Sequence, residues 1–262
     1  MVTRLLNSIV DLFSKKKPDV EEWRDGSASV LKGKIYTLVC FVSGKDDEWS
    51  DEGKTDMLDL LEESQRWIQK QALKYNVTVD FDEPDIFGFY KDIEFQEIVR
   101  GTASGNEPVD WVSKVLYKVG YKSTLDLVKN TNAENIQVII FVQGQGTGYA
   151  MASSSGMDKE KYFVEGAVLY ETYNNGIPLV SSSIAHEILH LYGAWDLYET
   201  FNQTKENERK ARELYPYSIM LDPFCDANKL NVDEITAWLI GWHNNPKPEF
   251  ELFRPKPKAK AL

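Results

Sequence analysis

At 262 residues the chain is long enough to bury one substantial core, and its net charge of −11 makes a nucleic-acid backbone a poor partner. Two cysteines are too few for a disulfide framework, and no apolar run approaches the roughly 18 residues that a membrane span needs.

The opening stretch, MVTRLLNSIVDLFSKKK, spaces Leu5, Leu6, Ile9, Val10, Leu12 and Phe13 as an amphipathic helix does. Such a helix over residues 1–17 docks on its own domain or touches a membrane surface or a partner. Asn7, Ser8 and Asp11 interrupt the apolar run, the lysines follow it, and no small-residue cleavage site comes after. These features predict no export signal, and hence a cytoplasmic protein. In that compartment the sequons at Asn76 and Asn202 carry no weight.

KIYTLVCFVSG, residues 34–44, reads as the first strand, with Cys40 a buried thiol inside it. The acidic KDDEWSDEG that follows lacks the ligand spacing and central glycine of a calcium loop and reads as solvated surface. Residues 55–76 carry Met57, Leu60, Leu61, Ile68, Ala72 and Leu73 at helical spacing, and VTVDF then alternates as a second strand. Residues 108–129 again look helical, interrupted at Gly120. IQVIIFVQG, residues 136–144, is the continuous apolar run of a strand buried on both faces. GQGTGYAMASSSG lacks the Gly-Lys-Ser/Thr ending of a phosphate cradle. Alternating strands and helices predict an α/β sandwich built on a mixed sheet. The expected division is residues 1–30 as helix and linker, 31–244 as the main domain (upper part 31–193, lower part 194–244), and 245–262 as an extended Pro- and Lys-rich tail.

The chemistry concentrates in HEILHLYGAWD. The chain has only three histidines, yet two of them, His186 and His190, stand four residues apart around Glu187. On a helix that spacing puts both imidazoles on one face, where they converge on one metal ion, usually zinc. Glu187 lies about 100° around the helix, beside the metal rather than on it, and suits the role of general base. Ser181, Ser182 and Ser183 offer N-cap oxygens before the helix, and Ile184, Ile188 and Leu191 form a stripe for burial. Gly193 can take the left-handed conformation that ends a helix. The chain then turns back and brings Asp196 round as a third ligand. A structural zinc would want more ligands, often cysteines, and Cys40 and Cys225 lie far off in sequence. Two alternatives remain for the third position: Asp196 merely caps the turn, or Glu234 supplies the carboxylate as in gluzincins.

The HExxHxxGxxD spacing resembles the metzincin signature in its snapalysin-like aspartate form. PYSIMLDPF downstream resembles the Met-turn of those proteases, with Met220 as a packing floor under the metal. NVDEITAWLIGW, residues 231–242, resembles their last long helix. The resemblance implies a metzincin-like sandwich: a mixed twisted sheet with an antiparallel edge strand over the active-site helix, and a mostly helical C-terminal subdomain. It implies a zinc-dependent endopeptidase acting on protein or peptide. It also implies a substrate-pairing edge strand just before the helix, at Gly166, Ala167, Val168, Leu169, Tyr170 and Glu171; the residues themselves leave a plain edge strand as the alternative. Some family members carry an oxyanion-stabilising tyrosine two residues after the methionine. That position is Asp222 here, which leaves Tyr192, Tyr198 and Tyr217 as candidates. KENERKARELY between Asp196 and Met220 reads as a solvated helix, and His243 as a surface or packing histidine. A metal-stabilised binding or regulatory module that no longer cuts is the reading of a different class.

Overall fold

The computed structural model describes residues 30–43, 48–89, 107–131, 135–151, 166–200 and 202–254. The amphipathic segment 1–17 and the last eight residues of the tail lie outside them. No described helix is long and apolar enough to cross a membrane.

A six-stranded sheet forms the middle layer. Strands β1 (Gly33–Val42), β4 (Asn135–Gly146) and β6 (Gly166–Tyr173) lie side by side and parallel. One edge is made by β2 (Val79–Phe81) and β3 (Asp85–Phe89), which pair in succession with the two halves of β1. Pro84, in the gap between them, cannot donate to the ladder and marks the break. At the other edge β5 (Tyr149–Met151) runs antiparallel to β6.

Period-two alternation sorts the side chains of the three long strands into two cores. Ile35, Val39 and Phe41 of β1, Ile139 and Phe141 of β4, and Ala167 and Leu169 of β6 face one way. Leu38, Cys40, Val42, Val138, Ile140, Val142, Val168 and Tyr170 face the other. The first face is covered by α1 (Asp51–Leu73) and α4 (Ser181–Leu191), which pack on each other. The second is covered by α2 (Glu107–Lys118) and α3 (Thr124–Thr131). The result is a mixed α/β sandwich.

Four expectations need correction. The acidic loop is not all solvated surface: Trp49 is buried and its indole N–H donates to Val42 O, while Ser50 caps α1 and starts it four residues early. Strand β6 is not an edge. Among the described residues the antiparallel edge is β5, too short for its own periodicity to declare it. Residues 231–242 do not make a long amphipathic helix. Helix α6 (Glu234–Leu239) spans six residues, nearly all buried, and the chain turns away through Gly241 at φ 81°. Finally, the beginning of the tail is part of the body, since a 3-10 turn over Pro248–Phe253 sinks Phe250 and Phe253 into the first core. The charged insert is, as expected, a solvated helix, α5 (Lys205–Leu214), with Ala211 its buried residue.

Candidate metal centre

Helix α4 is positioned by burial on three sides. Ile184, Ile188 and Leu191 sit in the first core, so the helix is held between α1 and the lower part of the chain. The serines of its first turn do not cap it. Val180 is the N-cap residue, and Ser182 and Ser183 lie inside the helix, where both hydroxyls donate to Pro223 O at 2.7 and 2.8 Å. Their role is to tie α4 to the segment after Met220. Val180 is apolar and makes no side-chain cap bond to the first turn.

The helix ends as expected. Gly193 has φ 96°, its N–H donates to His190 O, and Ala194 N–H donates to Leu189 O. That pair of bonds is a Schellman motif, which turns the chain back toward the helix face. Asp196 arrives opposite the two imidazoles.

The three ligand atoms form a small triangle. His186 Nε2 and His190 Nε2 are 3.0 Å apart, and Asp196 Oδ1 lies 3.2 and 3.1 Å from them. Zinc bonds of about 2.0–2.1 Å in tetrahedral arrangement place neighbouring ligand atoms about 3.3–3.4 Å apart, so the triangle fits a first-row metal ion closely. The tautomers fit as well. His186 Nδ1–H donates to Ile219 O at 3.1 Å and His190 Nδ1–H to Ala194 O at 2.8 Å. A carbonyl only accepts, so in the neutral rings both Nε2 atoms turn a lone pair toward the third acceptor, Asp196. Three acceptors at hydrogen-bond distance need a cation among them, a proton or a metal ion. His186, His190 and Asp196 therefore form a group that can bind a metal ion.

The electrostatics agree with a cation-seeking site. Burial disfavours the charged form of His190, but the bond and charge of Asp196, helped by Glu187, outweigh it and raise the pKa to about 9. Burial also disfavours the Asp196 carboxylate, yet its contacts with the two histidines hold it well below the usual carboxylate range. Glu187 moves the other way: burial first, then the Asp196 charge, raise it against the pull of the two imidazoles.

Glu187 stands beside the triangle and accepts the backbone N–H of Ala150 on β5. Gly148, Tyr149 and Ala150 line one wall of a cleft of about 330 Å³, and His186, Glu187, His190, Trp195, Asp196, Tyr198, Thr200 and Asn202 line the rest. This corrects the expected peptide-pairing strand: Gly166, Ala167, Val168, Leu169, Tyr170 and Glu171 lie on β6, which is hydrogen-bonded on both sides, to β4 and to β5 or the turn after it. The cleft wall is the strand that precedes β6.

Of the three candidate tyrosines the structure brings one to the cleft. Tyr198 stacks on the His186 ring with centroids 6.1 Å apart, and its hydroxyl bonds Asp196. Tyr192 is buried elsewhere, donating to Ile136 O, and Tyr217 is exposed. Glu234 is ion-paired with Lys247 and does not line the cleft. His243 packs on Tyr75 and bonds Glu234 O. Met220 is fully buried in the first core, and its carbonyl accepts Leu197 N–H one residue after Asp196. The carbonyls of Ile219 and Ala194 escape sequence reading because a backbone acceptor has no side-chain signal.

No protein-family model matches the chain, and no curated protein matches it in sequence.

Proposed function

We propose that this chain is a zinc-dependent endopeptidase of metzincin type with a His-His-Asp ligand set. What carries the reading is one juxtaposition: the His186, His190 and Asp196 triangle, the Glu187 carboxylate beside it, and an edge strand, all facing one cleft. An antiparallel edge strand over the metal helix, a left-handed glycine between the ligands and a buried methionine after them support the family resemblance.

His186, His190 and Asp196 would hold the zinc, which when bound supplies Lewis acidity toward a scissile carbonyl and makes water a stronger acid. Glu187 takes the proton of the attacking water and returns it to the departing amine. Its raised pKa brings it nearer to the operating pH, which favours both transfers. Tyr198 lines the cleft beside His186, and its hydroxyl would turn from Asp196 to donate to the oxygen on which charge develops. Strand β5, extended and next to Glu187, aligns an extended peptide through backbone hydrogen bonds.

The test compares wild type with Glu187→Gln on an unfolded protein or a peptide library, with zinc content measured for both. Cleavage by wild type alone, at equal zinc content, is the expected result. Equal zinc and no cleavage by either leaves a metal-stabilised module as the function.

A further inference from the structure

The floor of the metal centre carries a buried polar network that the proposed chemistry does not use. Asp233 is only 5% exposed. Its carboxylate accepts Thr236 N–H at 2.9 Å, Thr236 Oγ1 at 2.7 Å and Ser218 Oγ at 2.6 Å. Among the described residues no ion pair reaches it. Burial pushes the Asp233 carboxyl up from its ordinary range, against the pull of its hydrogen bonds, so it is a costly way to cap a six-residue helix that serine or asparagine would cap as well. The feature needs another reason.

That reason lies at Ser218. Ser218 Oγ donates to Asp233 Oδ2, so its hydroxyl proton is committed there and its lone pairs face the chain. Met220 N–H donates to that oxygen at 3.0 Å. The same peptide unit presents Ile219 O on its other side, and a peptide unit is rigid and planar. Ile219 O is the acceptor that fixes the Nδ1–H of His186. Asn231 O holds Ile219 N–H at 3.0 Å, so this stretch is clamped at successive peptides.

We infer that Ser218 and Asp233 are positioning residues for the metal centre, orienting the Ile219–Met220 peptide so that His186 presents its Nε2 lone pair to the metal. The inference rests on His186 being a ligand, as proposed above. It gives the Ser-x-Met stretch a polar function beside the packing of Met220: the serine sets the peptide whose carbonyl sets the histidine.

Ser218→Ala and Thr236→Ala each delete one hydroxyl bonded to Asp233, but only Ser218 leads to the metal. Zinc affinity of the full chain is measured by competition with a chromophoric chelator, alongside thermal unfolding of the zinc-free proteins. Ser218→Ala is expected to weaken zinc binding about tenfold or more, the size typical of lost outer contacts to a ligand. Thr236→Ala is expected to stay within about twofold, and Ser218→Thr to restore the affinity. Imidazole nitrogen spectra of zinc-free Ser218→Ala should show His186 as a mixture of tautomers. Equal zinc affinities for the two alanine variants overturn the inference, whatever they do to stability. Should Ser218→Ala fail to fold, Asp233→Asn carries the test. Its amide turns an N–H toward Ser218 and reverses the hydroxyl, and unchanged zinc affinity in that variant overturns the proposal. A wild type that binds no zinc overturns both the inference and the metal centre beneath it.

Discussion

The two walls of the cleft are held together in different ways. Above it, β1, β4 and β6 are buried on both faces and sorted by simple alternation, so their stability is spread over many interchangeable apolar contacts. Below it, the described part of residues 194–254 has a solvated helix, a buried one of six residues and two short 3-10 turns, rather than the mostly helical subdomain expected. That part is tied by single polar contacts over long sequence separations. Trp67 Nε1 donates to Ala227 O, Gln203 Nε2 to Phe253 O, and two serines of α4 to Pro223 O. The upper wall supplies a rigid frame and the lower wall supplies position. Substitutions should therefore separate folding from metal binding.

The sharpest separation pairs Phe141 with Asp196. Phe141 is fully buried, and Phe141→Ala should cost about 3–5 kcal/mol of folding stability. The folded fraction should still bind one zinc per chain, because β4 supplies no ligand. Asp196→Ala should weaken zinc binding by more than about 100-fold, beyond the loss of an outer contact. It should also abolish the zinc-induced rise in melting temperature. Denaturant titration and metal analysis of both variants check the pair. Loss of zinc by folded Phe141→Ala would show that the frame and the site are not separable.

A second effect, intermediate in size, follows from His190. Its folded pKa is raised to about 9 against an ordinary 6.5, so without zinc its contribution to stability is complete below pH 6.5 and lost as the pH rises through about 9. Zinc takes the place of that proton. Binding near pH 7.5 should therefore release about one proton, read from calorimetry in two buffers of different ionisation enthalpy. With a chelator present the melting temperature should fall from pH 6.5 to 9, and with saturating zinc that fall should disappear. A zinc affinity independent of pH across this window would mean that His190 is already neutral before the metal arrives.

The same contrast explains what could be read in the sequence. The ligand-bearing part of α4, the turn at Gly193 and the return of Asp196 are written within the eleven residues from His186 to Asp196, and local spacing was enough to bring the three ligands together. The long strands were legible for the same reason, as apolar runs of the right length. Strand pairing was not. Whether residues 166–171 form an edge depends on a partner of three residues, Tyr149–Met151, whose own pattern is too short to declare a strand. The serines before His186 looked like caps, and only the placement of Pro223 made them anchors to the lower part. Phe250 and Phe253 sit in a Pro- and Lys-rich stretch whose average composition hides two core residues. Local patterns set the site; distant single contacts set what lies under it.

The smallest effect expected is also the best check on which side of the Met220 turn matters. Asp222 stands where some metzincins have a tyrosine, and Arg212 of α5 grips it through two bonds of 2.8 and 3.2 Å while also bonding Glu208 at 2.9 Å. Arg212 and Asp222 are both well exposed, at 46% and 39%, so solvent screening discounts the pair. Arg212→Ala should cost no more than about 1 kcal/mol, and most of that should vanish in high salt. Ser218 holds the same turn from its buried side. If the inner contact governs His186, Arg212→Ala should leave zinc affinity within about twofold while Ser218→Ala lowers it about tenfold. An equal loss from both would mean that the turn is set by its grip on the solvated helix, and α5 would then belong to the metal centre rather than to the surface.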